Sequence, residues 1–538
     1  MELSTDVVIV GAGIAGSLVA EKLAAAGYRV VVLEAGPRVH RSELLSKLQV
    51  PMKKGPTAPY PFSAHAPSPN PGSPDDYYVQ SGPDLFKSTY LRVVGGTTWH
   101  WQGTVPRFLP EDLRLHTTHG VGIDWPFDYE TLEPFYLRAE KELGVAGDSE
   151  NHHGSSRSGP YPMPAVRISY LDECIGKAVK PLGLDVASLP QARTTKVYDG
   201  RPACCGNATC IPVCPIQSKY DATVHLSRAE KNGVRVMENC VVNRLEVGPD
   251  ARVSAVSFKR PDRSVGTVRG KYFFIAAHAI ETAKLLLISR SESRPMGIAN
   301  SSGLVGRNLM DHPIWLAWAL TKEPMYPFRA PLVTSGIENF RRGTFRPKSA
   351  AFRIDINNDG WSWPVGGPES VAKELIERGL RGSELADAIS QRTSRQFNLV
   401  AYTEQLPDPQ NRIEPAWDRL DPLGIPRPKI TYRLDDYSHR GLAAAKESVQ
   451  KIFRAVGCSE EYHAPEFRGA AHIAGTFRMG TEPNSSVVTP ELKTHDHSNL
   501  YLLGSGVFPT IGTANPTLTI AALTLRAVEH FLKSESKK

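Results

Sequence analysis

The sequence predicts an α/β protein built on a Rossmann-like dinucleotide-binding domain. Three observations predict it: a glycine-rich turn between an apolar strand and a helix near the N-terminus, an acid closing the next strand, and strand–helix alternation further along the chain.

Bulk composition sets the frame. The chain has 538 residues, 41% hydrophobic and 22% charged, enough to bury a large core in an ordinary globular protein. Lys and Arg number 63 against 56 Asp and Glu, an excess of 7 spread along the chain. No block of like charge stands out, so neither nucleic acid nor a polybasic membrane anchor is expected. A mildly basic face for an acidic substrate or a redox partner stays open. The apolar stretches Tyr272–Ala277 and Ile314–Leu320 fall short of the ~18 residues of a transmembrane helix. The N-terminus shows neither a basic–apolar signal nor a twin-arginine pair, so export would need another carrier.

The first element is Asp6–Val10, an apolar run suited to a strand buried on both faces. It leads into Gly11-Ala12-Gly13-Ile14-Ala15-Gly16, a G-x-G-x-x-G opening a helix over Ser17–Ala26. The first glycine permits the turn, the second lets backbone approach a pyrophosphate, and the third lets helix and strand pack closely. The helix N-terminus favours the negative charge. Gly27 ends the helix, and Tyr28–Leu33 forms a strand finishing at Glu34, 18 residues past Gly16. That spacing suits an acid that accepts ribose hydroxyls. Gly11, Gly13, Ala15, Gly16 and Glu34 are therefore expected to bind the cofactor, against the alternative of an empty glycine-rich turn.

Residues 51–74 hold eight prolines and read as a long ordered loop or lid, and Tyr60 and Phe62 within it and Tyr77 and Tyr78 after it should be buried. Arg92-Val93-Val94-Gly95-Gly96-Thr97-Thr98-Trp99-His100-Trp101 follows, again suited to backbone wrapped around a polar ligand. A helix over Lys219–Asn232, strands at Val234–Met237, Val241–Glu246 and Lys271–Ala277, and a helix over Ala279–Ser289 continue the alternation.

With Gly95-Gly96-Thr97-Thr98 after the N-terminal glycines, the chain resembles the glucose–methanol–choline (GMC) oxidoreductases from about Asp6 to Phe531. The resemblance implies FAD, with Gly95, Gly96, Thr97 and Thr98 along it and backbone near Val241 and Val242 facing the adenine. Glu-Ala-Gly-Pro at 34–37 points the same way. It also implies a covalent link between the flavin 8α-methyl and His100; a histidine packed between tryptophans is the other reading. The implied fold is a discontinuous FAD-binding domain, residues 1–310 and 465–538, with an inserted α+β substrate-binding domain over 311–464.

Four of seven cysteines fall in Cys204-Cys205-Gly206-Asn207-Ala208-Thr209-Cys210-Ile211-Pro212-Val213-Cys214-Pro215. Such a cluster of thiolates suits an iron–sulfur centre. Zinc and a disulfide are the competitors, and the adjacent pair Cys204-Cys205 argues against zinc spacing. With Tyr198-Asp199-Gly200-Arg201-Pro202 before it, the loop is similar to that of the FAD-dependent glucose and fructose dehydrogenase branch of the family, which implies a [3Fe–4S] cluster on three of the four. No C-x-x-C-H is present, so the chain carries no c-type haem of its own.

Near the C-terminus, His472-Ile473-Ala474-Gly475-Thr476-Phe477-Arg478-Met479-Gly480, a strand at Asn499–Leu503 with Gly504 after it, and Asn515-Pro516-Thr517 resemble the family's closing signature. Hydride transfer from an alcohol is easier as the hydroxyl proton leaves. A neutral imidazole suits the base, and an amide can donate to the developing alkoxide. The resemblance thus implies His472 as base, Asn515 as its partner, and Gly504, Pro516 and Thr517 at the cofactor. His495 and His497 read as surface residues, and His312 as a structural marker of the exit from the cofactor domain. Asn411-Arg412 and Gly424–Pro428 read as turns.

The implied activity is dehydrogenation of a sugar, polyol or sugar acid, electrons leaving through the cluster to a cytochrome. An oxygen-using oxidase, or a lyase or non-catalytic flavoprotein on the same scaffold, are the alternatives. The implied partners are a small twin-arginine-exported subunit and a cytochrome c subunit. The implied location is a membrane-associated complex in the periplasm, with the cytoplasm as alternative.

Overall fold

A computed structural model describes residues 1–49, 57–71, 76–359 and 368–536. Residues 51–56 and 72–74 of the proline-rich stretch lie outside them. The α/β expectation holds. A five-stranded parallel sheet runs in the order Leu500–Leu502, Tyr272–Ile275, Val7–Val10, Val30–Leu33, Arg235–Met237. Val7–Val10 and Val30–Leu33 are buried at every position, because helices cover both faces of such a sheet. The helix Ile14–Ala25 follows the first strand and packs against helices Thr223–Lys231 and Thr517–Glu535. The last strand and last helix thus return from the far end of the chain to finish a sheet begun at residue 7.

Two elements differ from the expected alternation. Val241–Val247 belongs to a separate four-stranded sheet with Val253–Lys259, Val265–Arg269 and Glu2–Ser4. Lys219 precedes its helix, which begins only at Thr223. Among the four aromatics expected to be buried, Tyr77 and Tyr78 are, Tyr60 is half-buried, and Phe62 is 86% exposed. His497, expected at the surface, is buried; its ring bonds the Ala251 carbonyl at 2.7 Å and the Ala299 N–H at 3.3 Å. His495 is half-buried against the Ser486 hydroxyl. Gly424 turns between strands Arg412–Leu420 and Pro426–Thr431, while the Asn411 side chain is buried and brackets the backbone of Arg433.

The other large sheet is antiparallel, in the order Glu460–His463, Pro313–Leu320, Gln396–Thr403, Phe352–Asn357, Val333–Ile337, Val186–Ser188. Val186–Ser188 joins it from before residue 311. In Phe352–Asn357, Phe352, Ile354 and Ile356 pack against Ala445, Val449, Ile452 and Phe453 of the helix Asp436–Val456. The alternate residues Arg353, Asp355 and Asn357 face the other way, as a strand's period of two requires.

A buried ion network ties the end of strand Gln396–Thr403 to the turn Pro110–Arg114. Arg346, with no exposed side-chain surface, pairs with Asp112 at 2.9 Å and with Glu404 at 2.8 Å, and Tyr437 donates to Glu404 at 3.0 Å. Replacing Arg346 by Leu leaves two buried carboxylates without a counter-charge. The expected loss is about 3–5 kcal/mol, read as a lower denaturation midpoint in urea.

Candidate active site

One cavity of about 1250 Å³ lies between the two sheets. Gly11, Gly13, Ala15, Glu34, Gly96, Thr97, Thr98, His100, Val242, Gly504, Asn515, Pro516, Thr517 and His472 all line it. Gly16 and Gly95 stand just behind: a Cβ on Gly16 would overlap the Gly11 carbonyl, and the Gly95 N–H donates to the Ala12 carbonyl at 3.1 Å. Gly13 is different. Its backbone is extended, and a Cβ built there meets nothing within 4 Å. The space beside it belongs to the cavity, at the N-terminus of Ile14–Ala25, which has no acid in its first turn and no side-chain cap. Free backbone donors over open space fit a diphosphate. Glu34 is buried, and its oxygens accept the Ala12 N–H at 2.9 Å and the Gly36 N–H at 3.0 Å. Burial raises its pKa, and those two backbone donors oppose the rise.

At the opposite wall the histidines are chained. His312 Nε2 lies 3.0 Å from the Gly512 carbonyl, so that nitrogen carries the proton. A neutral His312 then offers a lone pair at Nδ1, 2.8 Å from His472 Nδ1, which must donate. His472 Nε2 is left unprotonated and accepts from the Asn515 amide at 3.2 Å. Burial holds both rings neutral: His312 is lowered to about 4, and His472 well below its ordinary value, aided by His312 and Arg353. His312 is thus no mere marker of the domain exit.

Asn515 has its own anchor. Arg353 donates to Asn515 Oδ1 at 2.5 Å and to the Thr513 carbonyl at 3.0 Å, which turns the amide N–H₂ toward His472. Tyr402 stacks on the His472 ring, centroids 5.8 Å apart, and donates to Gln102 at 3.3 Å. Asp311 fastens the group: Oδ1 accepts the backbone N–H of His312 at 2.7 Å and of His472 at 2.8 Å. Sequence reasoning missed Arg353. Its signal was the alternation Arg353, Asp355, Asn357 within an otherwise apolar strand. Tyr402 carried no comparable signal.

The four cysteines gather beside this cavity without sharing it. Cys210 and Cys214 are buried, Cys204 half-buried and Cys205 exposed, and all four line a small pocket. Among the described residues, no three of their sulfurs come within 4.8 Å of one another. Thr209, Ile211 and Pro212 of the same loop line the large cavity. Tyr60 donates to the Pro212 carbonyl at 2.6 Å and meets the His100 ring edge-on, 6.0 Å between centroids.

The cradle has a direct test. Gly13→Val fits its backbone and projects only into the cavity, so the protein should fold as an apoprotein with flavin content reduced at least about tenfold, a loss of ~1.4 kcal/mol or more of binding. Absorbance at the flavin band together with a circular dichroism melt reads both.

Comparison with known proteins agrees with this geometry. Residues 6–314 and 407–524 match the two sequence models described as GMC oxidoreductase. The fructose dehydrogenase large subunit of Gluconobacter japonicus is 41% identical, over 98% of each chain. The gluconate 2-dehydrogenase flavoprotein of Pantoea cypripedii is 23% identical, over 96% of this chain and 92% of that one. Among solved structures, Aspergillus oryzae formate oxidase superposes with a TM-score of 0.67 at 16% identity, over 100% of this chain and 99% of that one. The shared fold, the glycine cradle and the matched sequence models together place the chain in the GMC oxidoreductase family, as an FAD-dependent oxidoreductase acting on CH–OH groups.

Proposed function

We propose that this chain dehydrogenates a sugar, polyol or sugar acid, with hydride passing to FAD and electrons leaving through a [3Fe–4S] cluster on three of Cys204, Cys205, Cys210 and Cys214. The observation that carries the reading is the His312–His472–Asn515 chain, which leaves His472 Nε2 free to accept a proton in the cavity that also contains the glycine cradle. Bound FAD supplies a two-electron acceptor. The chain's part is to take the hydroxyl proton at His472 Nε2 and to donate from Asn515 to the developing alkoxide. His312 and Gly512 hold the tautomer, and Arg353 holds the amide. Gly11, Gly13, Ala15, Gly16, Gly95, Gly96, Thr97 and Thr98 hold the cofactor with Gly504, Pro516 and Thr517, and His100 tethers the ring.

Support for a polyhydroxylated substrate comes from the similarity to the fructose dehydrogenase large subunit and from Gln102, Asn357, Asn398 and Tyr402, which line the cavity with the aromatic face of Trp318. Support for a cluster over zinc comes from the adjacent pair Cys204-Cys205, which does not suit the two-to-four-residue ligand spacing of zinc sites. With no haem motif in the chain, a cytochrome partner and a small exported subunit complete the route, in a membrane-associated periplasmic complex.

An anaerobic panel of sugars, polyols and sugar acids, read by flavin absorbance with electron paramagnetic resonance on the same samples, tests this. Bleaching by a member of the panel and an iron–sulfur signal in the oxidised protein are expected. Rapid oxygen consumption with substrate, or a protein that no member bleaches, would overturn it.

The histidine chain predicts a pH profile. Because His472 is held neutral well below its ordinary value, the acid limb of kcat/KM should lie below pH ~6.5, the free-imidazole value. Activity is kept as pH falls through that value and is lost only at the lowered one. His472→Ala should cut kcat by roughly 10²–10⁴. His312→Phe removes the acceptor at Nδ1 and a neighbouring titrating ring; it should lower kcat and move the acid limb upward.

A further inference from the structure

The cysteine loop is surrounded by buried cations that proton transfer at His472 does not use. Arg193 is 1% exposed, and its Nη2 donates to Cys210 Sγ at 3.0 Å and to the Gln102 carbonyl at 3.0 Å. Its Nη1 is buried and has no hydrogen-bond partner among the described residues; the same is true of the Ser218 hydroxyl. Arg193 and Ser218 both line the small pocket ringed by the four cysteines.

Lys219, also 1% exposed, sits between this loop and the flavin side. Its ammonium donates to the carbonyls of Trp99 at 2.9 Å, Trp101 at 2.7 Å and Cys210 at 2.9 Å. Gly103, at φ +91°, leaves room for its side chain, since a Cβ there would stand 3.2 Å from Lys219 Cγ. The carboxylate that acts on Lys219 is Asp221, and Arg41 already pairs with it at 2.5 Å while donating to the Cys214 carbonyl. Positive charge therefore exceeds carboxylate here, and the residues that carry the unused donors line the pocket. Both features call for an anionic, acceptor-rich occupant.

We propose that Arg193, with Ser218 beside it, sets the redox poise of the electron exit by donating to sulfur, while Lys219 locks the cysteine loop to the segment that carries His100. The inference rests on the reading above that an iron–sulfur cluster occupies the cysteines. Hydrogen bonds to thiolate and sulfide sulfur, and nearby positive charge, stabilise the more negative, reduced cluster and raise its potential. Alcohol oxidation delivers two electrons to the flavin. They leave singly through a one-electron carrier to an external one-electron oxidant, a haem protein or ferricyanide, and a raised potential keeps that first transfer downhill.

The test uses the full chain as purified, with Arg193→Gln, Arg193→Lys and Ser218→Ala. Cluster midpoints come from potentiometric titration followed by electron paramagnetic resonance, and iron and acid-labile sulfide are assayed on the same material. Arg193→Gln should lower the midpoint enough to shift the flavin–cluster equilibrium at least tenfold, about 59 mV for one electron. Ser218→Ala should lower it less, and Arg193→Lys should recover most of the difference. Midpoints of Arg193→Gln and Ser218→Ala unchanged at full iron content would overturn the inference and leave the proposed function standing. If Arg193→Gln holds no iron, Ser218→Ala decides by the same criterion. Loss of iron in both would also overturn it, because the donors would then serve assembly and not poise. Absence of iron and sulfide from the unaltered protein would instead sink the cluster reading itself.

Discussion

One buried carboxylate holds the histidine wall of the cavity together. Asp311 takes two backbone N–H groups on a single oxygen, those of His312 and His472, and the Ser88 hydroxyl on the other. Those donors come from three regions of the chain, 88, 312 and 472, which lie far apart in sequence. Burial pushes Asp311 up to about 6, and the donors resist that rise. Everything downstream is local: with the two histidine backbones fixed, their rings meet at 2.8 Å, the Gly512 carbonyl selects the tautomer, and a lone pair points at Asn515.

The same logic explains the division of labour between the sheets. The parallel sheet presents loop backbone, which suits a cofactor recognised by its phosphates. The antiparallel sheet presents alternating side chains, one face apolar against Asp436–Val456 and the other, on the cavity side, joining the polar row of Phe352–Asn357 to Ile314, Leu316, Trp318 and Val400. Arg353 belongs to that polar row yet acts on the C-terminal Asn515, so the two units share one site.

Much of the cofactor half was legible in the sequence because its signals are short and local. A strand, a glycine turn, a helix and an acid within residues 6–34 constrain one another, and the cavity contains nearly every residue they named. His472 and Asn515 were legible by resemblance, and the cavity brings them together. The role of His312 is not legible, since nothing in Asp311-His312-Pro313 says that its ring will meet one 160 residues away. The local pattern places Lys219 in a helix that in fact begins four residues later, because its contacts with Trp99 and Trp101 are tertiary and override local propensity. Phe62 shows the reverse error: an aromatic in a proline-rich loop is not bound to find a core.

The position of Leu500–Leu502 in the parallel sheet governs how the protein can be made. It pairs with Tyr272–Ile275, itself beside Val7–Val10, and the residues that complete the cavity follow it. A ribosome releases the chain from residue 1 onward, so the first glycine turn emerges while its sheet lacks an edge and the cavity lacks a wall. The site can close only when nearly all 538 residues have been synthesised. Cofactor capture is therefore a late event in maturation, and early-emerging portions of the nucleotide fold must wait, partly uncovered, for their last strand.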